Sequence, residues 1–194
     1  ERYLKQNNNF LFQVNNGVSN DVLEHLKILD KLCFNEFGVR IHFIVPADKL
    51  NIKMDSLIYS LSSFPPGEIY SPLISYKLQR LLQILKILRR PVIIDSNKYL
   101  KSFSKFLTMH PRLIPCVLTG WDNTARYKNK GVVIEGNIED LIEGQLEILK
   151  KSQNKHEFIL VKAFNEWAEG NILEPYNLNG KSYYPHKRIL DFKS

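Results

Sequence analysis

The sequence predicts an α/β fold with a parallel sheet covered by helices. Three observations carry this. Apolar strand-like runs alternate with helix-period segments along the chain. The strand-like runs are continuously apolar, as expected of strands buried on both faces. Polar and aromatic clusters follow two different strands, at 120–126 and 165–175.

The elements follow in order. "FLFQVNN" (10–16) reads as a buried strand ending at Asn-Asn-Gly. "SNDVLEHLKILDKLCFNEFG" places Val22, Leu26, Leu29 and Cys33 at helical spacing, with Leu23 and Leu32 widening the face. Ser19 or Asn20 suits its start, and Gly38 suits its end. "VRIHFIVPA" (39–47) and "DSLIYSLSS" (55–63) are the next strands, the second stopped by "FPPG". "YKLQRLLQILKILRR" (76–90) is a strongly amphipathic helix stopped by Pro91, and "PVIID" (91–95) is an ambiguous short apolar run. A helix over 97–110, a strand over 112–120, a helix over 138–153 and a strand over 157–164 complete the pattern. The tail from Tyr176 is aromatic and basic, with a helix near "PHKRILDF". No internal repeat or interdomain linker is visible, so residues 1–194 read as a single domain.

Two architectures fit such alternation. A doubly wound nucleotide-binding sheet announces itself with a Gly-rich turn after the first strand. Here that turn is "NNGVSND", with one glycine. A (β/α)8 TIM-type barrel instead gathers its chemistry in loops after several strands, which matches the two clusters. A full barrel takes about 250 residues, so about five or six strands describe an incomplete, C-terminal portion of one. The absent initiator Met agrees with a chain whose first barrel strands lie upstream.

Composition limits function. The chain has 194 residues and a formal net charge of +7. No run of about 18 apolar residues is present, so no spanning helix is expected, and the first residues lack a signal-peptide pattern. Cytoplasmic residence is the expectation. Cys33 and Cys116 sit in apolar context and read as core thiols in a reducing compartment. Neither they nor the five histidines have metal-ligand spacing. His42 falls inside a strand and reads as a core or rim residue. P-loop and Gly-x-Ser-x-Gly motifs are absent. The basic excess is spread over "KNK", "KK" and "HKR" rather than one helix face, which argues against nucleic acid. It suits solvated faces, or a peripheral contact with an anionic membrane surface.

"FNEWAEGNILEP" (164–175) is the candidate site. Glu166 and Glu169 lie three apart just past a strand and would share a face on a helical turn. Two carboxylates in one pocket divide labour as acid and base or nucleophile. Trp167 and Trp121 offer flat apolar surfaces for sugar rings. Asn123, Asn165 and Arg126 can hydrogen-bond hydroxyls or anionic groups. The bland alternative is a charged turn, with Asp122 or Asn123 of "GWDNTAR" bonding nearby backbone. Glu174 lines the site or pairs with a neighbouring Lys or Arg.

The pair "GWDNTAR" and "FNEWAEGNILEP", in this order, resembles the WbsX-type glycosyltransferase family, itself similar to family-99 glycoside hydrolases of the endo-α-mannosidase and endo-mannanase type. The resemblance covers roughly Asp55 to Pro175. It implies a (β/α)8 barrel acting on glycosidic bonds of an oligosaccharide or polysaccharide, with no metal or other cofactor, in lipopolysaccharide O-antigen or other surface-polysaccharide assembly. Glu166 would be the base at the sugar 2-hydroxyl, and Glu169 the general acid and then base at the glycosidic oxygen. Trp121, Asp122, Asn123, Arg126, Asn165, Trp167 and Glu174 would line the sugar subsites. The chain departs from the pattern at Thr119, where relatives often carry Pro, and at Ala168, where the hydrolases carry His. A non-catalytic or degenerate glycan-binding barrel is the alternative from another class.

Overall fold

A computed structural model describes residues 5–6, 9–14, 19–46, 58–62, 66–152 and 158–192. The chain divides into two compact units, Glu1–Phe64 with Arg112–Ile114, and Pro65–Pro111 with Pro115–Ser194. The loop sequences "NNGV" and "FPPG" lie wholly or partly outside the described residues.

In the first unit, β1 (Lys5–Gln6) pairs antiparallel with β2 (Asn9–Gln13). β2 pairs parallel with β3 (Ile41–Pro46), in register Phe10 with Ile41, and β3 pairs parallel with β4 (Ile58–Ser62). A parallel neighbour requires a crossover, and α1 (Asn20–Phe37) supplies it between β2 and β3. Ser19 caps the helix, its Oγ accepting from the Val22 N–H at 3.3 Å. Gly38 ends it in the left-handed region at φ 68°, donating its N–H to Phe34 O. Val22, Leu23, Leu26 and Cys33 pack on Ile41, Phe43 and Val45. Burying a side chain such as Phe43 or Val45 is worth roughly 1.5–3 kcal/mol. Leu29, expected on that face, is exposed together with Leu32. Asp30 is buried instead. It accepts from the Ile41 N–H at 2.8 Å and pairs with Arg40 at 2.7 Å, tying the helix to the start of β3.

The second unit begins with the short helix α2 (Gly67–Tyr70) and then α3 (Ile74–Ile84). The helix expected over 76–90 thus ends early. After it, Lys86 turns through φ 59° and the chain doubles back, with the Ile87 N–H bonded to Leu82 O. The ambiguous run "PVIID" is a strand, β5 (Val92–Asp95). It leads straight into α4 (Ser96–Met109), which Asp95 caps by accepting from the Lys98 N–H. Next come β6 (Cys116–Leu118), α5 (Thr124–Tyr127), β7 (Val132–Glu135) and α6 (Ile138–Lys151). The strand β7 was not legible in the sequence. β8 (Leu160–Lys162) closes the regular part. Two parallel pairs result, β5 with β7 from Val92–Val132 onward and β6 with β8 from Cys116–Leu160 onward.

Val92, Ile94, Val117, Leu118 and Val132 of these strands pack against Tyr99 and Phe103 of α4 and Leu141 and Ile142 of α6. Gln145 is buried in this apolar layer because it replaces a missing strand neighbour. Its Oε1 accepts from the Leu118 N–H at 3.0 Å, and its Nε2 donates to Leu118 O at 2.9 Å and Leu141 O at 3.0 Å. A buried amide is tolerated when its bonds are made.

Two antiparallel strand pairs follow. β9 (Asn165–Glu166) pairs with β10 (Asn171–Ile172). β11 (Tyr176–Leu178) pairs with β12 (Lys181–Tyr183) across an Asn179-Gly180 turn, both residues at positive φ, the signature of a two-residue hairpin. The expected tail helix is α7 (Pro185–Leu190), whose Arg188 reaches Glu139 at 3.5 Å and Glu143 at 3.4 Å on α6. No helix among the described residues is long and apolar enough to cross a membrane.

Candidate active site

The segment after β8 does not turn into a helix. It folds as a small hairpin: β9 runs out, Trp167–Glu169 makes one 3-10 turn, and β10 runs back with Asn171 opposite Glu166. Glu166 therefore stands on a strand arm and Glu169 at the turn. Gly170 leaves the turn at φ 67°, the left-handed conformation in which a Cβ is disfavoured.

The other motif lies along this hairpin. Thr119 donates its N–H to Lys162 O at 2.9 Å, and the Ile172 N–H donates to Thr119 O at 3.0 Å. The Asp122 N–H donates to Glu169 O at 2.8 Å, and Asn171 Nδ2 donates to Gly120 O. The motifs cross glycine over glycine. A Cβ on Gly170 would meet Asp122 N at 2.7 Å, and a Cβ on Gly120 would collide with the Gly170 carbonyl. Thr119, the position at which the resembled family often has Pro, has a use for both its donors. Its hydroxyl faces Lys162 O at 3.0 Å and Ala163 O at 2.8 Å, and a Pro would lack the backbone N–H.

After Trp121 the chain turns away and returns. Asp122 bridges antiparallel to Val133, and the Ile134 N–H donates to Trp121 O at 2.9 Å. Asp122 Oδ1 accepts from the Thr124 N–H at 2.9 Å and from its hydroxyl at 2.6 Å, which starts α5. Asn123 is buried, and its Oδ1 accepts from the Val132 N–H at 2.7 Å. Both side chains thus hold the loop's shape. That shape aims Arg126 back at the hairpin. Arg126 Nη1 donates to Glu169 Oε1 at 3.1 Å, and Nη2 lies 3.5 Å from Glu166 Oε1.

Lys162, at the end of β8, completes the arrangement. Its Nζ lies 3.4 Å from Glu169 Oε2 and sits over the Trp121 ring at 4.8 Å from the centroid. Glu169 therefore faces a cation on each oxygen, with a side chain only 18% exposed, while the Glu166 side chain is 42% exposed. Trp121 is buried, its Nε1 without a hydrogen-bond partner. Trp167 is 60% exposed and offers an open ring face. Asn165 Oδ1 lies 3.4 Å from the Glu174 N–H, and Glu174 itself is half-buried.

Tyr70 of α2 stands near the same carboxylate. Burial pushes its hydroxyl up to about 12. Tyr76, its ring 4.9 Å away, and Glu169 push the same way, while Arg80 pulls it down. Sequence reasoning missed Lys162 and Tyr70. The signal for Lys162 was a single charge inside the apolar run "FILVKAF", a residue type seldom buried unless paired. Tyr70 carried no signal beyond its aromatic type. Among the described residues, no group of three or more His, Cys, Asp or Glu could hold a metal ion.

Against known proteins, residues 1–186 match the family model described as Glycosyltransferase WbsX. The chain belongs to the WbsX glycosyltransferase family. The match runs from the first residue, well ahead of the Asp55–Pro175 stretch over which the motifs carried the resemblance. A solved structure titled "Glycoside hydrolase-like protein" superposes on this WbsX-family chain with a TM-score of 0.54 at 15% identity. It covers 90% of this chain and 49% of that one, so the chain spans about half the length of the structure it resembles. That likeness concerns the fold. No curated protein matches.

Proposed function

We propose that this WbsX-family protein is a carbohydrate-active enzyme that cleaves or forms glycosidic bonds with Glu166 and Glu169. The observation that carries the reading is the Arg126 guanidinium, which draws the two motif segments together by touching both carboxylates. The fold reading that goes with it is a portion of a (β/α)8 barrel forming one domain, supported by parallel strands joined by helices and by carboxylates placed just past the C-terminal end of β8.

The chemistry follows from the two carboxylates. Glu166 removes the proton of the sugar 2-hydroxyl, and that oxygen attacks the anomeric carbon to close a three-membered anhydro ring. The glycosidic bond breaks as Glu169, once Arg126 has left its Oε1 and a proton has taken that place, gives the proton to the departing oxygen. An acceptor hydroxyl then gives its proton to Glu169 and opens the ring at the anomeric carbon, and Glu166 returns its proton to the 2-oxygen. If the acceptor is water, the outcome is hydrolysis; if it is a sugar hydroxyl, it is transfer.

Arg126 holds the Oε1 edge of Glu169, which on this reading meets the glycosidic oxygen. Arg126 is about half exposed, so withdrawing it costs little, as exposed ion pairs are worth about 0–1 kcal/mol. Lys162, far less exposed, keeps Glu169 oriented meanwhile. Trp167 provides the stacking face for a sugar ring, and Asn165 and Arg126 the polar contacts. The family's chemistry suits surface-polysaccharide assembly, with lipopolysaccharide O-antigen as one such product and the cytoplasm as the compartment.

A glycan turnover screen on the full-length protein beside Glu166→Gln and Glu169→Gln tests this. Turnover lost in both variants is expected. Turnover equal to wild type in both would remove the two glutamates from the mechanism. Glycan binding with no turnover in the wild type would favour a binding barrel.

A further inference from the structure

Helix α3 turns much of its apolar surface outward. An amphipathic helix ordinarily turns its apolar stripe to the core, but α3 has no fully buried side chain, with Tyr76 half-buried against the core. Its polar residues grip the protein. Gln79 exchanges two hydrogen bonds with the Ile93 backbone, donating to its carbonyl at 2.9 Å and accepting from its N–H at 3.1 Å, as a strand neighbour would. Arg80 donates to Lys130 O at 2.7 Å, and Gln83 to Asn129 O and Arg90 O, each at 2.8 Å. These bonds fix the rotation of the helix about its axis.

The opposite face is apolar and open to solvent. Ile74, Leu78, Leu81 and Leu85 recur at helical spacing and are 83%, 54%, 51% and 57% exposed, and Ile84 beside them is 76% exposed. Isolated exposed leucines are ordinary, but a contiguous stripe marks a contact surface. The charges on the helix and on the turn after it have one sign. Lys77 lies along the stripe, and the exposed turn that follows carries Lys86, Arg89 and Arg90 around exposed Ile87. Between Glu68 and Asp95 the chain has no acidic residue.

We propose that α3 with its following turn is a membrane-surface element, lying flat on a bilayer with the apolar stripe among the acyl chains and the basic residues among anionic headgroups. An exposed apolar stripe bordered by Lys and Arg is the composition such helices need. The charge pattern selects this occupant over a second copy. A two-fold contact would set the same patch against itself, with no acidic residue between Glu68 and Asp95 to offset Lys77, Lys86, Arg89 and Arg90.

The test is co-sedimentation of the full-length protein with phosphatidylcholine vesicles, with and without phosphatidylglycerol. Binding to the phosphatidylglycerol vesicles, weakened by added salt, is expected, with little binding to phosphatidylcholine alone. Leu78→Asp/Leu81→Asp should reduce the bound fraction at least about ten-fold. Lys86→Glu/Arg89→Glu should remove the preference for the anionic lipid. Both pairs change exposed side chains, so thermal unfolding should be unmoved, and the charge pair gives a reading independent of the apolar one. No binding to either vesicle, or binding undiminished in both variants, overturns the proposal. So does a dimer in sedimentation equilibrium that Leu78→Asp/Leu81→Asp dissolves while vesicles remain unbound.

Discussion

Arg126 and Glu169 stand 43 positions apart in sequence and meet at 3.1 Å, with Glu166 at 3.5 Å from the same guanidinium. A planar fork can touch two carboxylates at once, and a single ammonium cannot do so with the same geometry. Arg126→Lys should therefore lower kcat/KM by roughly 10- to 100-fold, because an ammonium cannot both hold Glu166 and turn to the sugar as the fork does. Stability should change by no more than about 1 kcal/mol, because the side chain is half exposed. Steady-state kinetics beside a thermal melt checks both parts.

The crossing of Gly120 and Gly170 brings the two motifs within reach of each other. Each glycine has positive φ, at 114° and 67°, and each would press a new Cβ against backbone. Gly170→Ala should destabilise the protein by at least about 1–2 kcal/mol from conformation alone, with the contact to Asp122 N adding to it. Gly120→Ala should be worse, since its obstacle is a carbonyl oxygen that cannot move without the hairpin. Urea denaturation of each variant measures the loss.

Gln145 is fully buried and satisfies both backbone groups of Leu118. Gln145→Leu keeps the volume and orphans a buried N–H and C=O, at about 1–3 kcal/mol for each unsatisfied group. Chemical denaturation should show a loss of that size. A change below about 0.5 kcal/mol would mean that the strand finds another partner.

Buried hydroxyls and a buried thiol set the alkaline limit. Burial pushes Tyr70 and Cys116 each up to about 12, and Tyr99 well above the ordinary tyrosine range. A group whose folded pKa lies above its unfolded value stabilises the protein fully below the unfolded pKa, and the benefit is lost as pH rises through the folded one. Stability should thus begin to fall at about pH 9 through the thiol and at about pH 10 through the tyrosines, with the Cys116 and Tyr70 contributions lost by about pH 12. Circular dichroism against pH follows this. At neutral pH a thiol reagent should modify half-buried Cys33 before buried Cys116.

Much of this was legible beforehand. Apolar runs and helix periods gave the order of strands and helices, and Ser19 and Gly38 gave the limits of α1. The two motifs named Arg126, Glu166 and Glu169, which the structure brings together. Three things were not legible, for physical reasons. Periodicity says that α3 has an apolar face but not which way it looks, and Gln79 and Gln83 decide that through bonds to the backbone of Ile93 in β5 and of Asn129 in a distant turn. Helical spacing suggested a shared face for Glu166 and Glu169, whereas the hairpin puts one on a strand and one on a turn. Four residues, "VVIE", are too short to separate from loop by pattern, and only pairing with β5 makes them a strand.

The central claim, that Glu169 protonates the leaving group while Glu166 acts at the 2-hydroxyl, is tested most directly with a glycosyl fluoride as substrate. Fluoride departs with little need of a proton donor, so the loss caused by removing a general acid shrinks on such a substrate. Single-turnover rates of Glu169→Gln should fall by at least about 100-fold on the natural linkage and recover most of that on the fluoride. Glu166→Gln should stay slow on both. Equal losses on both substrates for Glu169→Gln, or recovery by Glu166→Gln instead, would contradict the assignment.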